Sequence, residues 1–390
     1  MSKKVKIAIV LADIPAYSET FIWSKIEGLL DNGKHIGLFV DKSTRNVKLK
    51  NNLAIYVQPD ISKKYKILFI LMMLIIKKPT ILLRFIYIEY RLKIHWFNIV
   101  KHLIINYHLF IQKSDWIHFE FATLGIGREN VAKVFGAKSS VSIRGFDVGL
   151  YPHQYPGCYN LLWNRIDKIH TVSDDLYRKA LELGLSDKVE VRKITPAVNL
   201  ELFQFIKKND LNHPLRILSV GRLVWKKGFE YSLKALQMLK NEGVEFKYII
   251  VGEGEYKDAL MYTIHQLGLD NDTILKGALS HKETLKEMAM SDIYLQPSIQ
   301  EGFCNATLEA QAMGLLCIVS DAEGLSENVL NNQTGWVVKK RNSELIAAKI
   351  RLILNTKFSK LEKIRQASIF RVKSDFNLST QQEEWNYFYE

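Results

Sequence analysis

Cysteine is scarce in this chain. Cys158, Cys304 and Cys317 are the three in 390 residues, too few and too irregularly spaced for a disulfide framework or a zinc site, which fits a reducing compartment. Long apolar runs are missing as well. The run Ile67 to Ile76 has ten residues, about half of the ~20 that a membrane-spanning helix needs. The basic start Met1-Ser2-Lys3-Lys4-Val5-Lys6 leads into an apolar run that stops at Asp13, so no signal peptide is expected. No repeat of solenoid period occurs, and no nucleic-acid recognition motif accompanies the positive charge. The one Asp-x-Asp, Asp270-Asn271-Asp272, follows Leu267-Gly268-Leu269 in a polar stretch where a turn is the natural role.

Acid is nearly absent from residues 61–113. Ten cations stand there against Glu89 alone, and they account for most of the chain's formal charge of +13. They are interleaved with Ile, Leu, Phe, Tyr and Trp96, a composition suited to amphipathic helices lying on an anionic lipid surface. The competing reading is a domain core with its cations turned to water. The rest is globular in composition, 47% hydrophobic and 24% charged, and 390 residues suffice for two sizeable cores.

Two stretches carry chemistry. Arg216 to Gly221 reads as a short apolar strand, a basic loop with Arg222 and Lys227 follows, and Phe229 to Lys240 has the spacing of an amphipathic helix. A second strand, Phe246 to Val251, ends in Gly252-Glu253-Gly254, glycines that let a ligand approach backbone. Fixed cations at the carboxyl ends of such strands suit a phosphate. Farther on, Ser291 to Gln296 reads as a buried strand stopped by Pro297, and Ala306 to Met313 as a helix closed by Gly314. Glu301 falls in the loop, Glu309 about one turn inside the helix, and the amides of Gly302, Phe303, Cys304 and Asn305 lie between. Unpaired amides at a positive helix end receive phosphate, and carboxylates accept from paired sugar or ribose hydroxyls. Two acids near a helix start can also simply complement its dipole.

The first half opens with strands Lys6 to Leu11 and His35 to Val40 around a helix from about Glu19 to Asp31. Strands Trp116 to Glu120 and Ser140 to Arg144 continue the alternation. A linker is expected through Phe205 to Pro214.

The segment Gln296 to Gly314, with Glu327 and Thr334-Gly335-Trp336-Val337-Val338, resembles the donor site of retaining glycosyltransferase family 4. Gly221-Arg222-Leu223-Val224-Trp225-Lys226-Lys227-Gly228, Val251-Gly252-Glu253-Gly254 and Asp167 to Ser173 resemble further elements of that family. The resemblance covers nearly the whole chain and is strongest over 214–340. It implies an α/β protein of the GT-B fold, two Rossmann-like domains facing across an interdomain cleft. The expected division is 1–208 for the acceptor, 209–368 for the donor, and 369–390 as a helix returning to the first domain. On this resemblance Glu301 contacts the transferred sugar, Glu309 the ribose, and Arg222 with Lys227 the departing diphosphate; Gly221, Gly252, Gly254 and residues 302–305 complete the donor site.

The acceptor side departs from the family. Glu120 stands where a second His is common, after His118, and Arg144 stands where His-Gly-x-Asp is common, before Asp147. Arg carries no proton near neutral pH but can hold an oxyanion, so Arg144 is expected to stabilise charge, with His118 as a further candidate. Ser18, Glu19 and Thr20 resemble an acceptor-facing loop, or cap the following helix.

With these residues, the resemblance implies a retaining hexosyltransferase using a nucleoside diphosphate sugar, such as a UDP-sugar, without metal or other cofactor. Its expected acceptor is a surface glycan carried on lipid, and its expected place the cytoplasmic face of the cell membrane, with no nucleic-acid partner. A GT-B sugar-nucleotide epimerase and a non-catalytic sugar-nucleotide-binding subunit remain the alternatives.

Overall fold

In a computed structural model of the chain, residues 5–15, 20–42, 53–59, 64–203 and 210–390 are described. They form two compact units, one of residues up to Ile194 together with Gln382–Glu390, the other of Thr195–Gln381.

The first unit is built on seven parallel strands: β1 (Lys6–Leu11), β2 (His35–Val40), β3 (Leu53–Val57), β4 (Trp116–Phe119), β5 (Lys138–Ile143), β6 (Lys168–Thr171) and β7 (Glu190–Lys193), in the order β3-β2-β1-β4-β5-β6-β7. Their near-continuous apolar sequences follow from a sheet covered on both faces. Helix α1 (Thr20–Asp31) packs Ile22, Ile26 and Leu29 onto Ile7, Ile9, Ile36 and Leu38. The same core takes Trp385, Phe388 and Tyr389 from the helix Leu378–Phe388 and the residue after it, and the Trp116 indole donates to the Tyr389 carbonyl at 3.1 Å.

Between β3 and β4 stand α2 (Lys64–Lys77), α3 (Pro79–Arg91) and α4 (Trp96–Ile105). Ile70, Leu74, Phe85, Ile99 and Leu103 face inward. The outward face of α2 is apolar: Tyr65, Leu68, Phe69, Met72, Ile75 and Ile76 are all exposed, Leu68 by 69% and Ile76 by 65%. Leu83, Tyr87 and Tyr90 of α3 and Trp96 and Phe97 of α4 add to it. The competing core reading of this segment therefore fails for these side chains, while 61–63 lie outside the described residues.

The second unit has six parallel strands, β8 (Leu215–Val220), β9 (Phe246–Val251), β10 (Thr273–Gly277), β11 (Ile293–Gln296), β12 (Leu316–Ser320) and β13 (Trp336–Val338), in the order β10-β9-β8-β11-β12-β13. Alternation along each strand divides its residues between two cores. Ile217, Tyr248 and Ile250 face one, Leu218, Ile249 and Val251 the other.

The units divide at 194/195 and 381/382 rather than at 208/209 and 368/369. Residues beyond Ile194 already belong to the second unit, where the Val198 amide donates to the Phe376 carbonyl at 3.1 Å and Gln381 Nε2 to the Thr195 carbonyl at 2.6 Å. The helix Phe358–Asp375 stays there too, packing Val372 beside Leu308 and Ala312. Of the expected linker, 205–209 lie outside the described residues.

Candidate active site

In each sheet the strand order reverses at one point, between β1 and β4 and between β8 and β11. Open parallel sheets bind ligands beyond the carboxyl ends of their strands at such a point. The residues following β8 and β11 are Gly221-Arg222 and Pro297 to Glu301, so the two carriers of expected donor chemistry meet there.

Their loops are stitched together by backbone. The turn Trp225–Lys227 ends at Gly228 with φ 65°, and a Cβ on Gly228 would collide with the Pro297 carbonyl. The Ile299 amide donates to the Lys226 carbonyl at 2.7 Å. This brings the Lys227 ammonium onto Glu301 Oε2 as an ion pair. Ser298 Oγ also donates to that oxygen at 3.3 Å, Gln296 Nε2 donates to Ser298 Oγ at 2.8 Å, and Tyr294 donates to Gln296 Oε1 at 2.7 Å. A chain of hydrogen bonds running out of the core thus fixes the carboxylate, and such networks hold geometry more firmly than isolated pairs. Burial works against the Lys227 charge, but Glu301 and its hydrogen bond outweigh it and raise the pKa. Burial lowers that of neighbouring Lys226. Arg222 is exposed and has no ion pair among the described residues.

Gly252 and Gly254 have a different use from the one expected. Their φ values are 142° and 159°, and a Cβ on either would strike the carbonyl of Gly221 or Leu223. They let the β9 loop lie against the β8 loop, joined by Gly221 N to Val251 O and Leu223 N to Glu253 O, both at 2.9 Å. What approaches these glycines is this chain's own backbone, on either side of Arg222.

The helix Asn305–Ala312 begins where its amides were expected to be open. The Cys304 amide is not open: it donates to Asn328 Oδ1 at 3.1 Å. The Cys304 thiol is buried and reaches Gln296 Oε1 at the end of β11 at 3.5 Å, and Phe303 packs on Phe376 at 5.7 Å. Glu309 lies one turn in, with His281 Nε2 at 3.1 Å from its Oε1. That hydrogen bond raises the His281 pKa. The Glu301 amide donates to Glu323 Oε2 at 2.7 Å. His281 and Glu323 escaped the sequence reading because each meets its partner across more than twenty residues.

In the first unit the expected residues Glu120, His118 and Asp147 are buried, and Arg144 beside them is partly exposed. Glu120 is fully buried; its Oε1 pairs with Lys25, and its Oε2 lies 3.4 Å from an Arg144 nitrogen. Burial alone would raise the Glu120 pKa, yet Lys25 and Arg144 bring it down. Burial lowers that of Lys25 to about 8, and the ammonium sits 3.9 Å above the Trp385 ring. Arg144 stacks on Phe21 at 4.0 Å. His118 is 0% exposed, with Ser140 Oγ at 2.8 Å from Nδ1 and Ser142 Oγ at 2.9 Å from Nε2. Ser142 passes the chain on to His170 at 2.8 Å. Both ring nitrogens are thus satisfied within the core, and burial, then Lys25 and Arg144, hold the His118 pKa well down. Asp147 accepts from the amides of Thr123 and Arg144 at 3.2 and 3.1 Å; it is buried, which pushes its pKa up to about 6, and it holds backbone rather than facing an acceptor. Ser18 and Glu19 lie outside the described residues, and Thr20 opens α1. Lys25 was missed, although its spacing from Ile22 and Leu29 puts a charge on the buried face of α1.

Among the described residues no group of three or more His, Cys, Asp or Glu side chains is arranged to hold a metal, and no helix is long and apolar enough to cross a membrane. Asp272 accepts from Lys240 at 2.7 Å in the turn before β10. A cavity lined by Lys138, Lys168, Glu190 and Glu384 lies at the amino ends of β5 to β7, the opposite end from Glu120 and Arg144.

Residues 202–369 match the family described as glycosyl transferases group 1. The amylovoran biosynthesis glycosyltransferase AmsK of Erwinia amylovora is 28% identical over 272 residues, 67% of this chain and 66% of AmsK. The match therefore spans just under two thirds of that relative. Sucrose-phosphate synthase from Thermosynechococcus elongatus superimposes with a TM-score of 0.73 at 16% identity, covering 99% of this chain and 98% of that one. Anabaena HepE, solved in complex with UDP, gives 0.71 at 14%, covering 98% of each. At such identities the likeness is one of fold, and the fold is GT-B.

Proposed function

We propose that this chain, whose residues 202–369 belong to the group 1 glycosyl transferases, is a retaining, metal-independent glycosyltransferase of polysaccharide synthesis that takes a hexosyl group from a nucleoside diphosphate sugar. The observation that carries this reading is the Lys227–Glu301 pair at the β8/β11 reversal with Arg222 exposed beside it.

Arg222 and Lys227 bind the diphosphate, and their charge counts most when the bond between anomeric carbon and phosphate oxygen breaks and the leaving group takes the electron pair. Glu301, with one oxygen held by Lys227 and Ser298, turns the other to a sugar hydroxyl. Glu309, steadied by His281, accepts from the ribose. The acceptor oxygen forms the new bond to the anomeric carbon, and its proton passes to the departing phosphate. The donor is a UDP-sugar in this reading, by analogy with the UDP held by HepE. The acceptor is a glycan, by analogy with the amylovoran synthesis named for AmsK.

The outward apolar face of α2 to α4, rimmed by Lys77, Lys78, Arg84, Arg91 and Lys101, supports attachment to the cytoplasmic face of an anionic membrane, where a lipid-linked acceptor is within reach. Flotation with vesicles containing anionic lipid tests it; protein that stays unbound at low salt removes this part of the reading.

Thermal stabilisation by a panel of nucleotide sugars tests the donor site, since ligand at 100 times its Kd adds about 2.7 kcal/mol. Transfer to glycan then follows with EDTA present. No stabilisation by any nucleotide sugar, or activity restored only by divalent metal, defeats the proposal. Isomerised sugar formed from donor alone would turn it toward an epimerase.

A further inference from the structure

Glu323 stands in the turn after β12 with φ 36°, a conformation that disfavours any residue with a Cβ and suits glycine. Gly324 follows directly but takes an ordinary right-handed conformation, φ −70°. The chain thus places its left-handed residue one position before an available glycine. What Glu323 adds over glycine is a carboxylate. That carboxylate is only 10% exposed, its Oε2 accepts the Glu301 amide at 2.7 Å, and Lys340 Nζ lies 4.0 Å from its Oε1. The Glu301 loop is therefore held at two points. Lys227 and Ser298 grip the side chain, and Glu323 grips the backbone.

From this geometry we infer that Glu323 is a positioning residue for Glu301, retained in a strained backbone conformation because it anchors the loop that carries the sugar-contacting carboxylate. The inference rests on the donor-site reading above. Strain held at a site by its surroundings is released when the side chain is removed, whereas a residue that served only folding would lose stability on removal. The two roles thus predict opposite signs for one substitution.

The test uses the full-length protein as wild type, Glu323→Gly, Glu323→Gln, Glu301→Gln and the double variant Glu301→Gln/Glu323→Gly. The readouts are melting of the second unit, UDP affinity by calorimetry, hydrogen exchange of the Glu301 amide, and turnover of the nucleotide sugar that stabilises the protein most in the panel. Glu323→Gly is expected to raise Tm, to lose protection of the Glu301 amide, to keep UDP affinity within twofold and to lower kcat at least tenfold. Glu323→Gln keeps an acceptor oxygen for that amide and stays within threefold of wild type. On the Glu301→Gln background, Glu323→Gly costs less than a further twofold, because the two act through one element. Overturning results are a Glu323→Gly protein with kcat within threefold of wild type, a lowered Tm, or losses that multiply in the double variant. A Glu301→Gln protein with wild-type turnover would instead defeat the assignment of Glu301, and exchange at its amide would still judge the anchor.

Discussion

Replacing Lys25 by Met tests whether the buried charges of the first unit are a structural lock. Lys25 is 1% exposed and Glu120 is 0% exposed, so among the described residues the substitution leaves a core carboxylate with the Arg144 nitrogen at 3.4 Å and His118 Nε2 at 3.6 Å. Breaking a buried pair by removing one member costs about 3–5 kcal/mol. The surviving Arg144 contact favours the lower figure. Loss of the ammonium from the Trp385 ring, 3.9 Å away, adds about 0.5–2 kcal/mol. Methionine keeps most of the lysine's volume, so little cavity term is expected. A total near 4 kcal/mol, at roughly 2–4 °C per kcal/mol for a unit of this size, lowers its Tm by about 8–16 °C. Differential scanning calorimetry, with the near-ultraviolet signal of buried Trp116, Trp163 and Trp385 to identify the transition, reads the shift. Adding Glu120→Gln removes the stranded charge and should recover more than half of the loss. A single variant melting within about 3 °C of wild type, or a double variant no better than the single, refutes the reasoning.

Other outcomes follow from the second unit. Arg222→Ala touches no ion pair among the described residues, so Tm should stay within about 1 °C while kcat/KM falls by roughly 10- to 150-fold, the loss of a charge-assisted bond worth about 1.5–3 kcal/mol; a matching loss of stability would make Arg222 structural. Gly252→Ala drives a Cβ into the Gly221 carbonyl at φ 142°, and should destabilise the unit by about 2–4 kcal/mol in urea unfolding, with an unchanged midpoint counting against the interlock. The His281 pKa is raised by its bond to Glu309, so its contribution is full below pH ~6.5 and fades as pH climbs through the raised folded value. The Tm gap between wild type and His281→Gln should accordingly narrow from pH 6 to pH 9; a gap that widens would reverse the assigned sign.

Much of this fold was legible because parallel strands buried on both faces announce themselves as apolar runs. Strands β1, β2 and β9 lie at their expected bounds, and β4, β5, β8 and β11 within two residues of theirs. The placement of Arg222, Lys227 and Glu301 just past β8 and β11 was legible because the apolar strands before them end so plainly. What stayed hidden is pairing at a distance. Lys25 meets Glu120 across 95 residues, and no local pattern announces that Asn328 takes the Cys304 amide. The glycines after β9 were read as an opening for ligand because sequence does not say which backbone comes close. Helix α2 was ambiguous for another reason. Its run from Ile67 to Ile76 is apolar all round, so periodicity could not say which side faces inward.

The first unit's core is completed by Trp385, Phe388 and Tyr389, and this orders events during synthesis. A ribosome adding roughly 5–20 residues per second makes all of Thr195–Gln381 before those rings emerge, an interval of about 10–40 s. Throughout that wait the nascent amino-terminal half has an unfilled place beside Trp116 and an uncovered Lys25, while the later half gains its last strand, Trp336–Val338, before the wait ends. The portion translated second is thus the one able to finish first, and newly made first units are the natural clients for a chaperone.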